Sequence, residues 1–432
     1  MRSILRLRYV ASRAAMFAAV PVLMSTATLA DSTTERLLEL ESLLAKQQAQ
    51  IEAQNRLLDR LSKELSDVAL KPEPAPAEIP KDIVRSRGSK VKASFYGQVN
   101  RAFLFYDDGG EKDVRFVDAD TSSTRVGFKG SVKATKNTKL GTTIELQFES
   151  NSSGDVDQFD NTATIGSNSF TERKLEVFVD NKSMGKISLG QGSTASDGSS
   201  EIDQSGTGLA GAASAPDGPA GGLGFVVSGD TTPTGTGNPD TRIKDVFDNL
   251  DGLSRDDRIR YDTPSFGGFK LHTSIVDGGE WDLAASYGGT LGSTKLRGKL
   301  GYANKSGTAT FPEEVLSGSI SAKLKNGLSV TAASGKGEDD DSSNERSFTY
   351  GKIGYQTKIF SIGSSSFSVD YGRYDDADAA NDEATTHGIA FVQKISDWGA
   401  EFYGSYRNYE LKRPGTNFND IDIVFTGTRI KF

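Results

Sequence analysis

The stretch Val424-Phe425-Thr426-Gly427-Thr428-Arg429-Ile430-Lys431-Phe432 decides how this chain is read. Every second position, Val424, Thr426, Thr428 and Ile430, is apolar or β-branched, and Arg429 and Lys431 fall between them. A period of two is the pattern of a strand with one apolar and one wet face. The pattern therefore predicts a strand that runs to the final aromatic residue. Soluble sheets also end this way, so the weight rests on what precedes it.

The same period recurs upstream. Phe95, Gly97 and Val99 alternate with Tyr96, Gln98 and Asn100; Val126, Phe128, Gly130 and Val132 alternate with Arg125, Gly127, Lys129 and Ser131. Leu140, Ile144, Leu146 and Phe148 share a face opposite Thr143, Glu145, Gln147 and Glu149. Similar segments fall at Leu175 to Val179, Ile187 to Leu189, Ile259 to Tyr261, Phe269 to Ile275, Trp281 to Tyr287 and Leu296 to Tyr302. They continue at Ile320 to Leu324, Leu328 to Ala332, Thr349 to Tyr355, Phe367 to Tyr371, Gly388 to Val392 and Phe402 to Tyr406. About sixteen strands separated by polar, Gly- and Asp-rich turns are predicted. A barrel of that size leaves an aqueous lumen, with lipid outside and water within. Because no sheet edge can lie open in hydrocarbon, the array has to close. The expected fold class is an all-β transmembrane barrel of about 16 antiparallel strands over residues 93–432, preceded by an α-helical coiled coil. Arg101 breaks the pattern, since it shares the face of Phe95 and Val99; a subunit contact or a position above the lipid zone would accommodate it.

Composition agrees. Apolar residues make up 36% of the chain, and no run reaches the ~18–20 residues of a spanning helix. The chain has no cysteine, which removes disulfides, thiolate chemistry and Cys-based metal sites. A net charge of −8 argues against nucleic acid as a partner. The two histidines, His272 and His387, lie in no HExxH or GxSxG context. The reading is therefore no enzyme, no catalytic residues, no metal and no cofactor.

Residues 1–30 read as an export signal: Arg2, Arg6, Arg8 and Arg13 precede a short apolar core from Ala14 to Met24, and small residues end at Ala30. An uncleaved anchor is the weaker alternative, because the core is short and broken by Pro21. Residues 31–70 carry heptads, with Leu37, Leu44, Ile51, Leu58 and Leu65 at a and Leu40, Gln47, Gln54, Leu61 and Val68 at d. The two Gln layers are the kind that set register and oligomer number. Residues 71–92 form a Pro-rich extended linker.

Four stretches resemble the general porins of Gram-negative bacteria: Phe95 to Asn100, Ser123 to Gly130, Arg258 to Phe269, and Ser405 to Tyr409 before the closing strand. The helix and linker resemble the DcaP-like branch, which carries a periplasmic stalk on a trimeric channel. The terminal Phe432 resembles the signal read by the barrel-insertion machinery. The resemblance implies a homotrimer in the outer membrane that passes small hydrophilic solutes passively. It also implies contact with outer-membrane lipid and lipopolysaccharide, and a stalk long enough to approach peptidoglycan. Two alternatives stand beside it, a channel selective for anions such as dicarboxylates and a tether between outer membrane and cell wall.

In such porins the third extracellular loop folds into the lumen, and its acids face basic residues on the wall. By motif position, Arg125 on the second strand and Arg173 on the fourth are the expected wall arginines. Arg258 and Arg260, opposite in parity to Ile259 and Tyr261, join them, with Lys129 and Lys174 as weaker candidates. Arg173 is ambiguous, because it shares parity with Leu175 and Val177. Gln98 and Gln191 stand where basic residues are common in the family. The segment Ser193 to Arg255 is expected to hold the constriction loop, with Asp197, Glu201 and Asp203 on its acidic side. Acidic clusters at Asp107 to Glu111, Glu338 to Asp341 and Asp375 to Asp378 read as a solvated surface.

Overall fold

The computed structural model describes residues 45–56, 59–60, 91–159, 170–211, 215–229, 241–305, 312–338 and 345–432. The chain divides into two units, Met1–Ile83 and Val84–Phe432. In the first, residues 45–56 and 59–60 are helical, inside the heptad segment. The leader at 1–30, the rest of 31–70 and the linker as far as residue 90 lie outside the described residues. Among the described residues, no helix is long and apolar enough to cross a membrane.

The second unit is built of strands. They are β1 (Lys92–Asp107), β2 (Lys112–Asp118), β3 (Arg125–Lys133), β4 (Thr138–Phe148), β5 (Phe170–Asn181), β6 (Gly185–Ser193), β7 (Arg255–Asp262), β8 (Phe269–Val276) and β9 (Trp281–Leu291). Then follow β10 (Thr294–Asn304), β11 (Glu314–Lys323), β12 (Leu328–Glu338), β13 (Arg346–Thr357), β14 (Ser365–Asp375), β15 (Glu383–Ile395), β16 (Ala400–Arg413), β17 (Thr416–Asn417) and β18 (Ile421–Lys431). Each wall strand pairs antiparallel with its neighbours, and β18 returns to pair with β1 from Gln98↔Lys431 to Asp107↔Asp422. The wall thus closes on itself; among the wall strands only β2 is laddered on one side alone, with a single Asp118–Ser152 bridge on the other. β2 and β3 both pair with β1 and together form one interrupted wall strand, while β17 is a two-residue stub on β16. The 18-stranded sheet is therefore a sixteen-stranded barrel, 18 less one for the split strand and one for the stub. Short turns and both chain ends of the barrel lie at one end, here the terminal end. The longer connections lie at the other, the loop end.

Parity follows from closure. Leu271 (61% exposed), Ile275 (64%) and Leu300 (55%) point outward, and so do their counterparts on every neighbouring strand. An apolar surface of that extent is not stable in water. Aromatic pairs flank it. Phe95–Phe432, Phe269–Tyr287 and Phe367–Phe391 lie toward the terminal end, and Phe103–Phe116 and Trp281–Tyr302 toward the loop end. Two such girdles bound the hydrocarbon layer in membrane barrels.

The interior is divided. Toward the loop end the connection between β6 and β7 folds inward and packs an apolar core against the wall. Leu209, Leu223, Ile243, Val246 and Phe247 of this insert meet Leu104, Val117, Phe348, Tyr374, Tyr409 and Phe425 of the strands. Toward the terminal end the inward faces are polar and largely basic, with Lys129, Lys139, Lys270 and Lys295 among them. Inward apolar residues thus concentrate in the half that the insert fills, with Phe178 an exception toward the terminal end.

Arg101, the exception to the pattern, sits where β2 ends and the chain turns into the lumen. On the outward side its Nη1 donates to the Ser150 carbonyl at 2.7 Å and lies 3.6 Å from the Asp118 carboxylate.

The outward band sets the first prediction. Leu300→Arg, near the middle of β10, should lower folding stability in bilayers by about 2–4 kcal/mol, and Leu316→Arg, beside the Trp281–Tyr302 girdle, by only about 0–1. Urea titration of refolding into lipid vesicles measures both. Equal, negligible effects would mean that this face does not meet hydrocarbon.

Candidate pore constriction

The insert is placed by the wall, strand by strand. The Ala195 amide donates to Ser274 Oγ on β8 at 2.7 Å, and the Ser196 amide and hydroxyl donate to Asp282 on β9 at 2.7 Å. Ser199 meets Ser317 at 2.7 Å, and the Ile202 and Gln204 amides donate to Ser319 and Ser321, all three on β11. Thr207 meets Ser368 on β14 at 2.7 Å, and Ser405 on β16 donates to the Ala210 carbonyl at 2.7 Å. Small hydroxyl residues let the insert lie against the sheet while satisfying its amides. The approach is close: a Cβ on Gly354 would sit 2.4 Å from Ser205 Cβ.

Two buried ion pairs reinforce this path. Lys352 Nζ lies 3.1 Å from Asp203, and Arg407 Nη2 lies 2.7 Å from Asp370. Arg407, 1% exposed, also reaches Gly211 O at 3.4 Å, and the Tyr409 hydroxyl beside it donates to Pro216 O at 2.6 Å.

Between the insert and the wall lies a cavity of about 480 Å³. Arg125, Arg173 and Arg255 line it together with four acids, Asp120, Glu201, Asp203 and Asp217. A second cavity of about 410 Å³ adjoins it toward the terminal end and shares the three arginines, adding Lys174, Lys431 and Glu145.

Arg125 and Arg173 come together on Glu145. The Arg173 Nε donates to Glu145 Oε1 at 3.0 Å, Arg125 Nη1 lies 3.9 Å from the same oxygen, and Tyr96 donates to Oε2 at 2.8 Å. The register explains the ambiguity of Arg173. Glu145 pairs with Lys174 but Leu146 pairs with Glu172, so Arg173 is the extra residue of a β-bulge. A bulge re-aims a side chain, and here it turns both Arg173 and Lys174 toward the lumen while Leu175 stays outward.

Arg258 and Arg260 line neither cavity. Arg258 is buried; it pairs with Glu176 at 2.6 Å and donates to the carbonyls of Gly190 and Ser193. Arg260 donates to Thr194 O at 2.6 Å and pairs with Asp262. Both hold the root of the insert. His272 bonds Asp262 at 2.5 Å and Ser286 at 2.8 Å, which extends that anchor to β9.

Among the acids, Glu201 opens to the lumen and accepts from Asn249 at 3.1 Å. Asp203 lines the cavity while tied to Lys352. Asp197 lies off the cavity, and its carbonyl accepts from Lys299 at 2.6 Å. Gln98 binds the carbonyls of Ser122 and Ser123, so it holds the inward turn of the split strand. Gln191 pairs with outward-facing Leu175, so its lack of charge removes nothing from the lumen.

Arg255, Asp120 and Asp217 escaped sequence reasoning. Arg255 stood at the edge of the loop segment, and nothing marked which acids of that segment turn inward. Asp120 belongs to a short helical turn, Asp120–Ser122, that projects from the gap between β2 and β3. It sits with Glu149; burial, with Asp155 nearby, pushes the Asp120 carboxyl up, and burial beside Asp120 pushes Glu149 up to about 8.

An antiparallel barrel, greasy outside and narrowed inside by its own loop between arginines and carboxylates, defines a membrane channel. The chain belongs to the Gram-negative porin family, whose model matches residues 69–414. No curated protein matches it. Among solved structures it is similar to an anion-selective porin from Comamonas acidovorans, at 16% identity and a TM-score of 0.54 over 79% of this chain and 100% of that one. It is also similar to a loop-deletion mutant of OmpT, an outer membrane protein of Vibrio cholerae, at 13% identity and a TM-score of 0.51 over 79% and 100%. The outer membrane channel DcaP of Acinetobacter baumannii matches at 13% identity and a TM-score of 0.48 over 81% and 99%. At these identities the likeness speaks of fold. The protein is an outer-membrane channel for passive diffusion, in a family of non-enzymatic channels.

Two predictions follow from the geometry of the insert. Arg407→Met leaves the Asp370 charge buried without its partner, a loss of about 3–5 kcal/mol. The freed insert should make single-channel currents noisier, and Arg407→Met with Asp370→Asn should be quieter than the single variant; identical noise in all three would mean that the pair does not hold the insert. The second concerns pH. Asp217 lies on the insert, not on a spanning strand; burial, with Asp120 and Asp248 nearby, pushes its carboxyl up to about 7. Lowering pH through that value neutralises Asp217 while the arginines keep their charge, so anion preference should rise. Asp217→Asn should show the raised preference already above neutral pH and respond less to acid. Zero-current potentials in a salt gradient check this, and an unaltered pH response would exclude Asp217.

Proposed function

We propose that small hydrophilic solutes and ions cross through the two adjoining cavities, and that the charges there favour anions. The observation that carries this reading is the meeting of Arg125, Arg173 and Arg255, from strands of the wall, with Glu201, Asp203 and Asp217, from the insert, around one cavity of about 480 Å³. Opposed charges held in a narrow wet passage make a transverse field that orients polar solutes and rejects apolar ones. The terminal-side cavity supports the preference, since five cations line it beside Glu145 as the one acid. Arg258 and Arg260 act in this reading through the root of the insert, and Asp197 through its support.

The three arginines are not equivalent. Arg125 and Arg173 share Glu145, which offsets one of their two charges. Among the described residues Arg255 carries no ion pair, and it lines both cavities. Arg255 is therefore the arginine of the passage whose charge is least offset.

The channel is read as a homotrimer, with residues 31–70 as a periplasmic coiled-coil stalk behind a cleaved leader and toward peptidoglycan. Outward-facing Arg101, with Asp118, supplies a polar contact of the kind that suits a neighbouring copy better than lipid. Outer-membrane lipid and lipopolysaccharide surround the remaining outward face.

Planar-bilayer recording in a salt gradient tests the reading. Arg255→Glu should move the zero-current potential toward cation preference by more than Arg125→Glu or Arg173→Glu. Unchanged potentials in all three would remove the arginines from the conducting path.

A further inference from the structure

We propose that the channel is electrically polar along its axis and holds small multivalent oxyanions in a cationic lane that opens at the terminal end. This rests on the channel reading above and goes beyond it in naming a second binding region, a ligand class and a direction.

The lane begins at the terminal mouth, on one sector of the wall. Lys133, Lys139, Lys186, Lys270, Lys295 and Arg297 all stand within a few residues of the terminal-end turns of β3, β4, β6, β8 and β10. Register and contacts turn them inward. Lys139 and Lys186 lie over the Phe178 ring, on the face opposite exposed Leu175 and Val177. Lys295 and Arg297 alternate with Leu296 and Leu300, and Lys270 borders a cavity of about 390 Å³ at this mouth, with Lys186, Arg260 and His272.

Pairing for stability does not explain this pattern. Lys133 stands directly opposite Lys139, and Lys295 directly opposite Lys323. Like charges directly opposite on one sheet face destabilise it, and a glutamate at either position of a pair would remove the cost. Asp180, between Lys139 and Lys186, and Asp262, already tied to Arg260 and His272, are the acids interleaved with these cations.

The lane continues upward on the same sector. Lys174, Arg173, Arg125 and Arg255 belong to β5, β3 and β7, and they line the terminal-side cavity. Beyond it the cavity next to the insert is mixed, with four carboxylates against three arginines. The loop end is acidic on balance: Asp107, Asp382 and Glu410 are paired with Lys112, Arg413 and Lys412, while Glu111, Asp376 and Asp420 on its turns and strand ends add negative charge. Fixed charge therefore runs from positive at the terminal mouth to negative at the loop mouth. In a walled, water-filled passage such a gradient concentrates anions at the positive end and depletes them at the other. An anion of charge two or more gains at each step, and adjacent cations give it several simultaneous partners. A monovalent anion gains only once and passes.

The test uses the full-length protein in planar bilayers, with conductance established first; absence of conductance would sink the channel reading itself, separately from this one. Orientation is read with Thr416→Cys at the loop end, unique because the chain has no other cysteine, labelled from one side with a bulky maleimide. Tripolyphosphate and citrate are then added to either side at constant ionic strength. Block of chloride current by one or both should need about tenfold less anion from the terminal side than from the loop side, and which probe blocks tells whether phosphate or carboxylate oxyanions fit. In the same bilayers, Lys270→Gln with Lys295→Gln and Arg297→Gln should abolish most of that difference. Equal sensitivity from both sides, stronger block from the loop side, or full sidedness in the triple variant would overturn the proposal.

Discussion

The pairing of β18 with β1 is the constraint on which the rest depends. In hydrocarbon an unpaired amide or carbonyl has no water to turn to, so a sheet that enters a membrane has to close on itself. Here the ladder runs unbroken from Gln98↔Lys431 to Asp107↔Asp422, and the Gly97 amide binds the Phe432 carbonyl beyond it. Closure fixes register, and register fixes which residues meet lipid, because a slip by one position would exchange the two faces. The outward band, the aromatic girdles and the inward charges are consequences of that single condition.

The lumen side departs from regularity at two places, and both bring residues to the cavity beside the insert. The bulge at Arg173 brings two successive cations to one face, which a regular strand cannot do. The gap between β2 and β3 lets Asp120–Ser122 project inward, where Ser122 receives Arg125 and Arg429 and Thr121 binds the Leu209 carbonyl of the insert. Each irregularity leaves a local cost that is settled nearby. Ser150 and Asp118 take up Arg101 on the outside of the gap.

The sixteen alternating segments read from the sequence each fall within or along a wall strand, because period two survives whatever the tertiary setting. The split second strand was half legible: β3 alternates cleanly, but Lys112–Asp118 carries charge on both faces and reads as loop. Arg101 and Arg173 were marked as exceptions, and both sit at breaks in the ladder that alternation alone cannot locate. Arg125 and Arg173, which line the cavities, were named from their motif positions. Arg255 was not, since a residue at a loop boundary has no parity to read. The path of the insert was hidden as well, although Ser317, Ser319 and Ser321 mark it. A run of inward serines at every second position signals a wall that something packs against, but it names no partner.

The arrangement of charge reports where water is. In the half filled by the insert, buried charges are met within the wall or across its boundary with the insert: Asp370 and Arg407 pair on the wall, Lys352 meets Asp203 of the insert, and Asp282 accepts from Ser196 and Ser274. An uncompensated charge there would carry its full desolvation cost. In the terminal half, lysines stand opposite lysines with only part of their charge offset, Lys139 by Asp180 and Lys323 by hydrogen bonds to Gln204 and Gln356, which suits a place where water and mobile ions screen them. The boundary between the two regimes runs through the cavity lined by Arg125, Arg173 and Arg255. Under the proposed path a solute meets both regimes at one place, where the insert and the wet vestibule touch, and discrimination is expected there.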